Sequence, residues 1–535
     1  MKKYIENQKG YALLIVLLFI TVIAIGTITM YSYSVNSQKF INASSTSVQD
    51  KLKADRIMDE AIAKVQTGID DINKKIASDY PIIANINDLI TRVNNASGGK
   101  YNIVSTVTAN GENQGLYNVN ATFTVGVNSR KNLVKTIALS TVQDIFRYST
   151  VSNGDLILNG SSYLEGDVYT NGSVKSLNYG KFTSTSCTRY GACGTVNNYV
   201  PTSFPAINGT LTVKGSLYRG TVSGSSTSWG PQLAVNNANL ASTFSLVPKL
   251  KERNLNFNPL PVSSLISAKS SYLDPKNTYT YKGGQSYSSK ESLTGNLRYS
   301  NLTIGNGADL TVKGNLIVSN LNINSGGKLT VNGNIYVSGS ASLSGILNLN
   351  ATNSYIYIQD SATIFNFTLY GQMYVNNKVD ITDDFNTNGT LYANTSIDVT
   401  NLSNNSGGTL ILICAGTINV VNNNTYNDVP KEMNAYFYSN NKLEIYGTFS
   451  NLKIIGGIYG NPIELNATKG RAKQSSFSNS FNVGNIYFEN NQLTLEPTKS
   501  RLSVIYKKEL IYNPPNGIPT IDKINIKEIE THYTK

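Results

Sequence analysis

Asp383 and Asp384 form the side-chain pair in this sequence that most invites a chemical reading. One carboxyl can protonate a leaving group while the other activates water, provided both reach a common groove. In an extended strand, however, neighbouring side chains point to opposite faces, so adjacency favours solvated turn residues over an acid–base pair. The single histidine, His532, lies close to the C-terminus, which excludes a Ser-His-Asp arrangement and any multi-histidine metal site. Cys187 and Cys193, in Cys-Thr-Arg-Tyr-Gly-Ala-Cys, are close enough to close a small loop. A disulfide is permitted there outside a membrane, although short separation alone does not settle its geometry. Cys414 ends the run Leu410-Ile411-Leu412-Ile413 and reads as a core thiol. Gly407-Gly408 and the Asn-Gly pairs read as turns and not as phosphate cradles. No catalytic residue, metal or cofactor is expected, and the chain reads as a non-enzyme.

These residues lie in a region, from about Phe146 onward, of short strands separated by Asn, Gly and Ser. Asn301 to Ser319 (NLTIGNGADLTVKGNLIVS) and Asn320 to Ser338 (NLNINSGGKLTVNGNIYVS) align without a gap at a period of 19 residues. Leu302/Leu321, Ile304/Ile323, Leu310/Leu329, Val312/Val331, Gly314/Gly333 and Val318/Val337 superpose. Leu211-Thr212-Val213-Lys214-Gly215 echoes the motif, and Asp155 to Gly160 is a looser copy. Such a unit suits one coil of a β-solenoid: inward Leu, Ile and Val stack on the same positions of the next coil, each burial contributing about 1.5–3 kcal/mol. An ordinary β-sandwich with similar hairpins is the competing architecture. The prolines at 248, 259, 261 and 275 break the pattern, so about 245–281 is expected to be an excursion or cover.

At the N-terminus, no charged side chain occurs from Ala12 to Met30, and a helix of that stretch rises by roughly 28 Å, enough to cross a hydrocarbon core. Lys2, Lys3 and Lys9 precede it and the next charge is Lys39, which predicts a cytoplasmic N-terminus and an extracytoplasmic remainder. Beyond the membrane, Met58, Ile62, Val65, Ile69, Ile72 and Ile76 form one helical stripe opposite Arg56, Glu60 and Lys64. A single helix from about Tyr11 to about Ser78 is expected, with Gly26 and Gly68 as candidate kinks. Three strand-like runs follow, Tyr101 to Ala109, Leu116 to Val127 and Leu133 to Gln143. They predict an antiparallel sheet against the striped face.

Lys9-Gly10, directly ahead of Tyr11 and the apolar run, resembles the class III leader of type IV prepilins. The long helix with its small meander resembles the pilin αβ roll over about residues 1–145. The ending from Tyr436-Phe437-Tyr438 to Pro519 is similar to that of large proteins of the PilX N-terminal-domain type. The resemblance implies cleavage between Gly10 and Tyr11 by a prepilin peptidase on the cytoplasmic side, with the helix kept on the mature chain. The pilin glutamate is replaced by Ile15, as in PilX-type minor pilins and K-type minor pseudopilins, which implies a priming or tip subunit.

The expected fold is therefore α+β. It comprises a leader (1–10), a transmembrane helix (11–31), a pilin-like helix with antiparallel strands (32–145), a β-solenoid expected to be right-handed (146–512) and an exposed tail (513–535). The expected role is a single-pass minor pilus or pseudopilus component with an adhesive or scaffold function. Its expected partners are other pilins, the peptidase and the lipid bilayer. The alternative is a wall-associated polysaccharide-binding or polysaccharide-degrading protein on a signal anchor. A bactofilin-like polymer is a third reading and predicts uncapped coils stacked end to end.

Forty per cent hydrophobic and 15% charged residues argue against a disordered stalk. The net charge of +12 is thinly spread, with no basic run interleaved with aromatics; it suits contact with anionic wall polymers or lipid and not with nucleic acid.

Overall fold

The computed structural model describes residues 6–76, 81–111, 115–128, 131–187, 193–252, 257–270, 278–351, 353–404, 408–475, 480–483, 486–489 and 493–534. The chain divides into two compact units, one of residues 1–107, 119–139 and 524–535, the other of 108–118 and 140–523.

In the first unit, helix α1 (Glu6–Asn73) runs unbroken through Gly26 and Gly68. The helix closes before the expected end near Ser78, which lies outside the described residues. Of the predicted stripe, Met58, Val65, Ile69 and Ile72 are buried, joined by Ala54 and Ala61, while Ile62 is half-buried and Ile76 lies beyond the helix; Glu60 and Lys64 pair on the exposed face at 2.8 Å. Helix α2 (Ile82–Asn95) was passed over in the sequence reading, although Ile82, Ile86, Leu89, Ile90 and Val93 are its buried face. Gly68 marks the close approach of α2: a Cβ there would sit 2.2 Å from Leu89 Cδ1.

Strands β1 (Asn102–Gly111), β2 (Leu116–Asn128) and β3 (Lys131–Val142) coincide with the three expected runs. A fourth strand, Thr520–Thr534, lies beside β3 in the order β1-β2-β3-fourth. These residues are thus not an exposed tail. Their charged side chains concealed a strand whose Ile524 and Lys527 are buried and whose backbone at Ile524 exchanges two hydrogen bonds with the Asn73 amide, at 2.7 and 2.9 Å.

The second unit is a β-solenoid of about 14 turns, each turn feeding three parallel stacks of short strands. The 19-residue repeat lies in register as aligned, with Leu302 on Leu321, Ile304 on Ile323, Leu310 on Leu329 and Val318 on Val337. One inward row runs Leu316, Ile335, Ile356, Met373, Leu391, Leu412, Phe437, Ile458, every member buried. At the turn inside each repeat, Gly307 and Gly326 adopt φ of 76° and 77°, a left-handed conformation that only glycine enters without strain.

The turns do not follow chain order. Residues 280–506 build most of the stack, and its last turn is covered by residues 150–165, with Ile458 on Thr150, Ile463 on Leu156 and Val504 on Leu164. The strands Val168–Thr170, Thr210–Val213 and Lys249–Leu250 continue outward from there. The chain must then return the length of the stack to start again at Thr280, roughly 60 Å at about 4.8 Å per turn. Residues 257–270 lie along that return as a strap across one face. In sequence order, Phe257 packs on Tyr169 (4.9 Å), Leu260 N–H donates to Tyr438 Oη (2.7 Å), Ser263 Oγ donates to Asn394 Oδ1 (2.6 Å), and Lys269 Nζ lies over the rings of Tyr374 and Tyr355. The far end of the stack is closed by a helix, Asn237–Thr243, whose Leu240 is buried against the core.

Candidate functional site

The first half of α1 is the one apolar surface of this length among the described residues. Its most apolar window has a mean hydropathy of 2.8 and none of it is buried. Thr21, Thr27 and Thr29 donate their hydroxyls to the carbonyls of Leu18, Ile23 and Ile25, at 2.7–2.8 Å. The polar atoms of this stretch are thereby satisfied within the helix, as a hydrocarbon environment requires. By length and composition it can cross a membrane, as an anchor or a signal sequence. Gly10, Tyr11 and Ile15 all lie within this helix, and Ile15 is exposed.

On the solenoid, aromatic side chains gather on the outside of one stack. Tyr336 stacks on Tyr357 (ring centroids 5.3 Å), Tyr374 on Tyr392 (4.7 Å) and Tyr438 on Tyr459 (4.2 Å). Such a ladder on an open face would be a platform for sugars. Here the strap covers it on one side, and Thr390 and Tyr392 donate to the carbonyls of Asn516 and Gly517 on the other. Tyr436 donates to the Ile145 carbonyl (2.9 Å) and packs on Phe146. Burial pushes the Tyr392 and Tyr436 hydroxyls well above their ordinary range. From Tyr374 to Tyr459 the row is a closed seam of two stacked tyrosine pairs with buried Ile413 between them.

A cleft of about 670 Å³ lies on another stack and is lined by Tyr163, Glu165, Lys453, Arg471, Glu489 and Arg501 among others. Arg501 is buried and donates to the carbonyls of Ser450, Gly470 and Thr425, tying together the loops that leave the coils around it. Burial lowers its pKa to about 10, and it stays charged at neutral pH. Arg471 pairs with Glu489 (2.6 Å) and Lys453 with Glu432 (2.7 Å). Arg471 and Lys453 are thus each neutralised by a carboxylate, whereas Arg501 is held by backbone carbonyls, and both arrangements fasten loops.

Asp383 and Asp384 sit on a coil corner. Asp383 has φ of 61°, following Asn366 (49°) and preceding Asn401 (57°) at the same corner of successive turns, and Asp384 is exposed. Both lie inside the strand Lys378–Asn386, at the irregularity where its register shifts, and not in a turn between strands as their adjacency in sequence implied. His532 is exposed on the last strand. Cys187 and Cys193 end the two strands of an antiparallel hairpin, Tyr179–Cys187 and Cys193–Pro201, whose register sets Cys193 directly across from Cys187; the side chains of both lie outside the described residues. Cys414 is a core thiol whose pKa burial raises to about 12. Among the described residues no group of three or more His, Cys, Asp or Glu is placed to hold a metal.

The sequence reading missed the tyrosine seam and Arg501. The seam had a signal, since tyrosines recur about once per coil at 336, 357, 374 and 392. A lone arginine carries none. Compared with protein-family models, curated proteins and solved structures, the chain shows no match.

Proposed function

We propose that this protein is a membrane-anchored surface component, a minor pilin or pseudopilin that displays its β-solenoid outward with an adhesive or scaffold role. The observation that carries the reading is the division of α1. Its first half is apolar and wholly unburied, and its second half buries a stripe that packs with α2. A single rod can thus lie in lipid at one end and hold a folded unit at the other. Lys9-Gly10 before Tyr11 supports a leader cut on the cytoplasmic side, and Ile15 in place of the pilin glutamate favours a priming or tip subunit. The burial of the tyrosine seam weighs against that face working as a polysaccharide-processing groove.

Mass spectrometry of the N-terminus of the native protein tests the proposal. A chain starting at Tyr11 in the membrane or filament fraction is expected. An intact Met1 would overturn the prepilin reading, and a soluble product lacking residues 11–30 would overturn the anchor as well.

A further inference from the structure

A second cleft, about 430 Å³, opens at a corner of the solenoid between successive coils. Its lining includes Leu349, Thr368, Leu369, Tyr370, Asn386 and Thr387, and among the described residues no charged side chain takes part in it. That is unusual on a chain of net charge +12, and it excludes recognition by ion pairing. Tyr370 is 62% exposed, in contrast to the tyrosines sealed in the seam, and so offers a free ring face. Leu349 and Leu369 form an apolar floor. Thr387 is buried, and its Oγ1 has no hydrogen-bond partner among the described residues. Asn388 and Asn516, on the rim, are held through their Oδ1 atoms by Thr409 N–H (3.0 Å) and Gln372 Nε2 (3.2 Å). Their amide N–H groups are thereby fixed in orientation.

A ring face, an apolar floor and oriented amides make up the chemistry that reads an uncharged pyranose. The C–H face of the sugar packs on the aromatic ring, and its hydroxyls exchange hydrogen bonds with amides and hydroxyls. We infer that this cleft binds a neutral polysaccharide, with Tyr370 as the stacking residue and Asn388 and Asn516 as hydrogen-bonding residues. The inference deepens the adhesive reading and rests on it for its biological setting, since a surface display is what would bring the cleft to such a polymer.

Calorimetric titration of the detergent-solubilised full chain is the test, using neutral hexose and N-acetylhexosamine oligomers beside uronic-acid and phosphate-bearing oligomers of equal length. Binding of a neutral series is expected, weakened about tenfold in Tyr370→Ala, the loss of one stacked contact. Tyr370→Phe should retain it, and circular dichroism should show both variants folded. Binding of only the charged oligomers, of none, or unchanged binding in folded Tyr370→Ala would overturn the proposal. Because the titration is done in detergent, its failure leaves the membrane reading standing, and the N-terminal mass decides that reading separately.

Discussion

Glu464 shows what a residue at one coil position can hold together. Its carboxylate is bonded by Lys181 and Lys442, each at 2.6 Å, and by the Asn159 amide at 3.0 Å, while Lys442 also reaches Glu444 at 2.8 Å. Lys181 comes from the hairpin strand Tyr179–Cys187, so the pair fastens that hairpin to the coils. Burial by itself would raise the Glu464 pKa, but the two lysines outweigh it and hold the carboxyl below its ordinary value. A carboxylate depressed on folding stabilises the native state above its unfolded pKa, about 4.3, and loses that contribution as the pH falls through the folded value. Thermal melts should therefore be level between about pH 7 and 5 and decline below about 4.3. Glu464→Gln should melt lower at neutral pH, by about 3 kcal/mol, and show a flatter acid limb. An unchanged acid limb in that variant would remove Glu464 from the account. The alternating pattern around this residue was legible in sequence, but its partners Lys442, Lys181 and Asn159 come from positions 22 to 305 residues away, and nothing local announced them.

At the scale of the coil, asparagines act beside the apolar rows to set register. Asn296 Oδ1 accepts the Asn315 N–H (2.9 Å), Asn315 Oδ1 accepts the Asn334 N–H (2.9 Å), and Asn334 Oδ1 accepts the Tyr355 N–H (3.0 Å), one step per turn. Each side chain satisfies a corner amide that the parallel ladder leaves over. Asn315→Ala is expected to cost about 1–3 kcal/mol by stranding the Asn334 amide, whereas Asn315→Asp keeps an acceptor and should cost less. Hydrogen exchange at Asn334 checks this: it should quicken in the alanine variant alone. Sequence reading took such residues only as turn formers. The Leu211 to Gly215 echo carries a related lesson, because its strand stacks on Val168 to Thr170, in a different stack from Asp309 to Lys313. The motif encodes a strand and a corner, and the three corners of a coil are close enough in geometry to share it.

For the whole molecule, the chain order of the stacks and the fate of the C-terminus were the two features sequence could not supply. The solenoid unit stands between β3 and the last strand in sequence, and that strand returns to β3 through more than 370 residues of intervening chain. Truncation after Pro519 should therefore open the edge of β3 and release the Asn73–Ile524 hydrogen bonds. Hydrogen–deuterium exchange is expected to rise in β3 and at the end of α1 while coils 297–358 stay protected; unchanged protection of β3 would refute the role assigned to that strand. What the sequence determined by itself is whatever depends on neighbours along the chain: the apolar run of α1, its stripe, three strands, and coils where the 19-residue period is strict. Tertiary structure alone decided which coil lies on which, which tyrosines are sealed and which is open, and where the charged last strand belongs. Stacking and burial depend on contacts between distant segments, and a segment's own side-chain pattern specifies which face is buried without specifying what buries it.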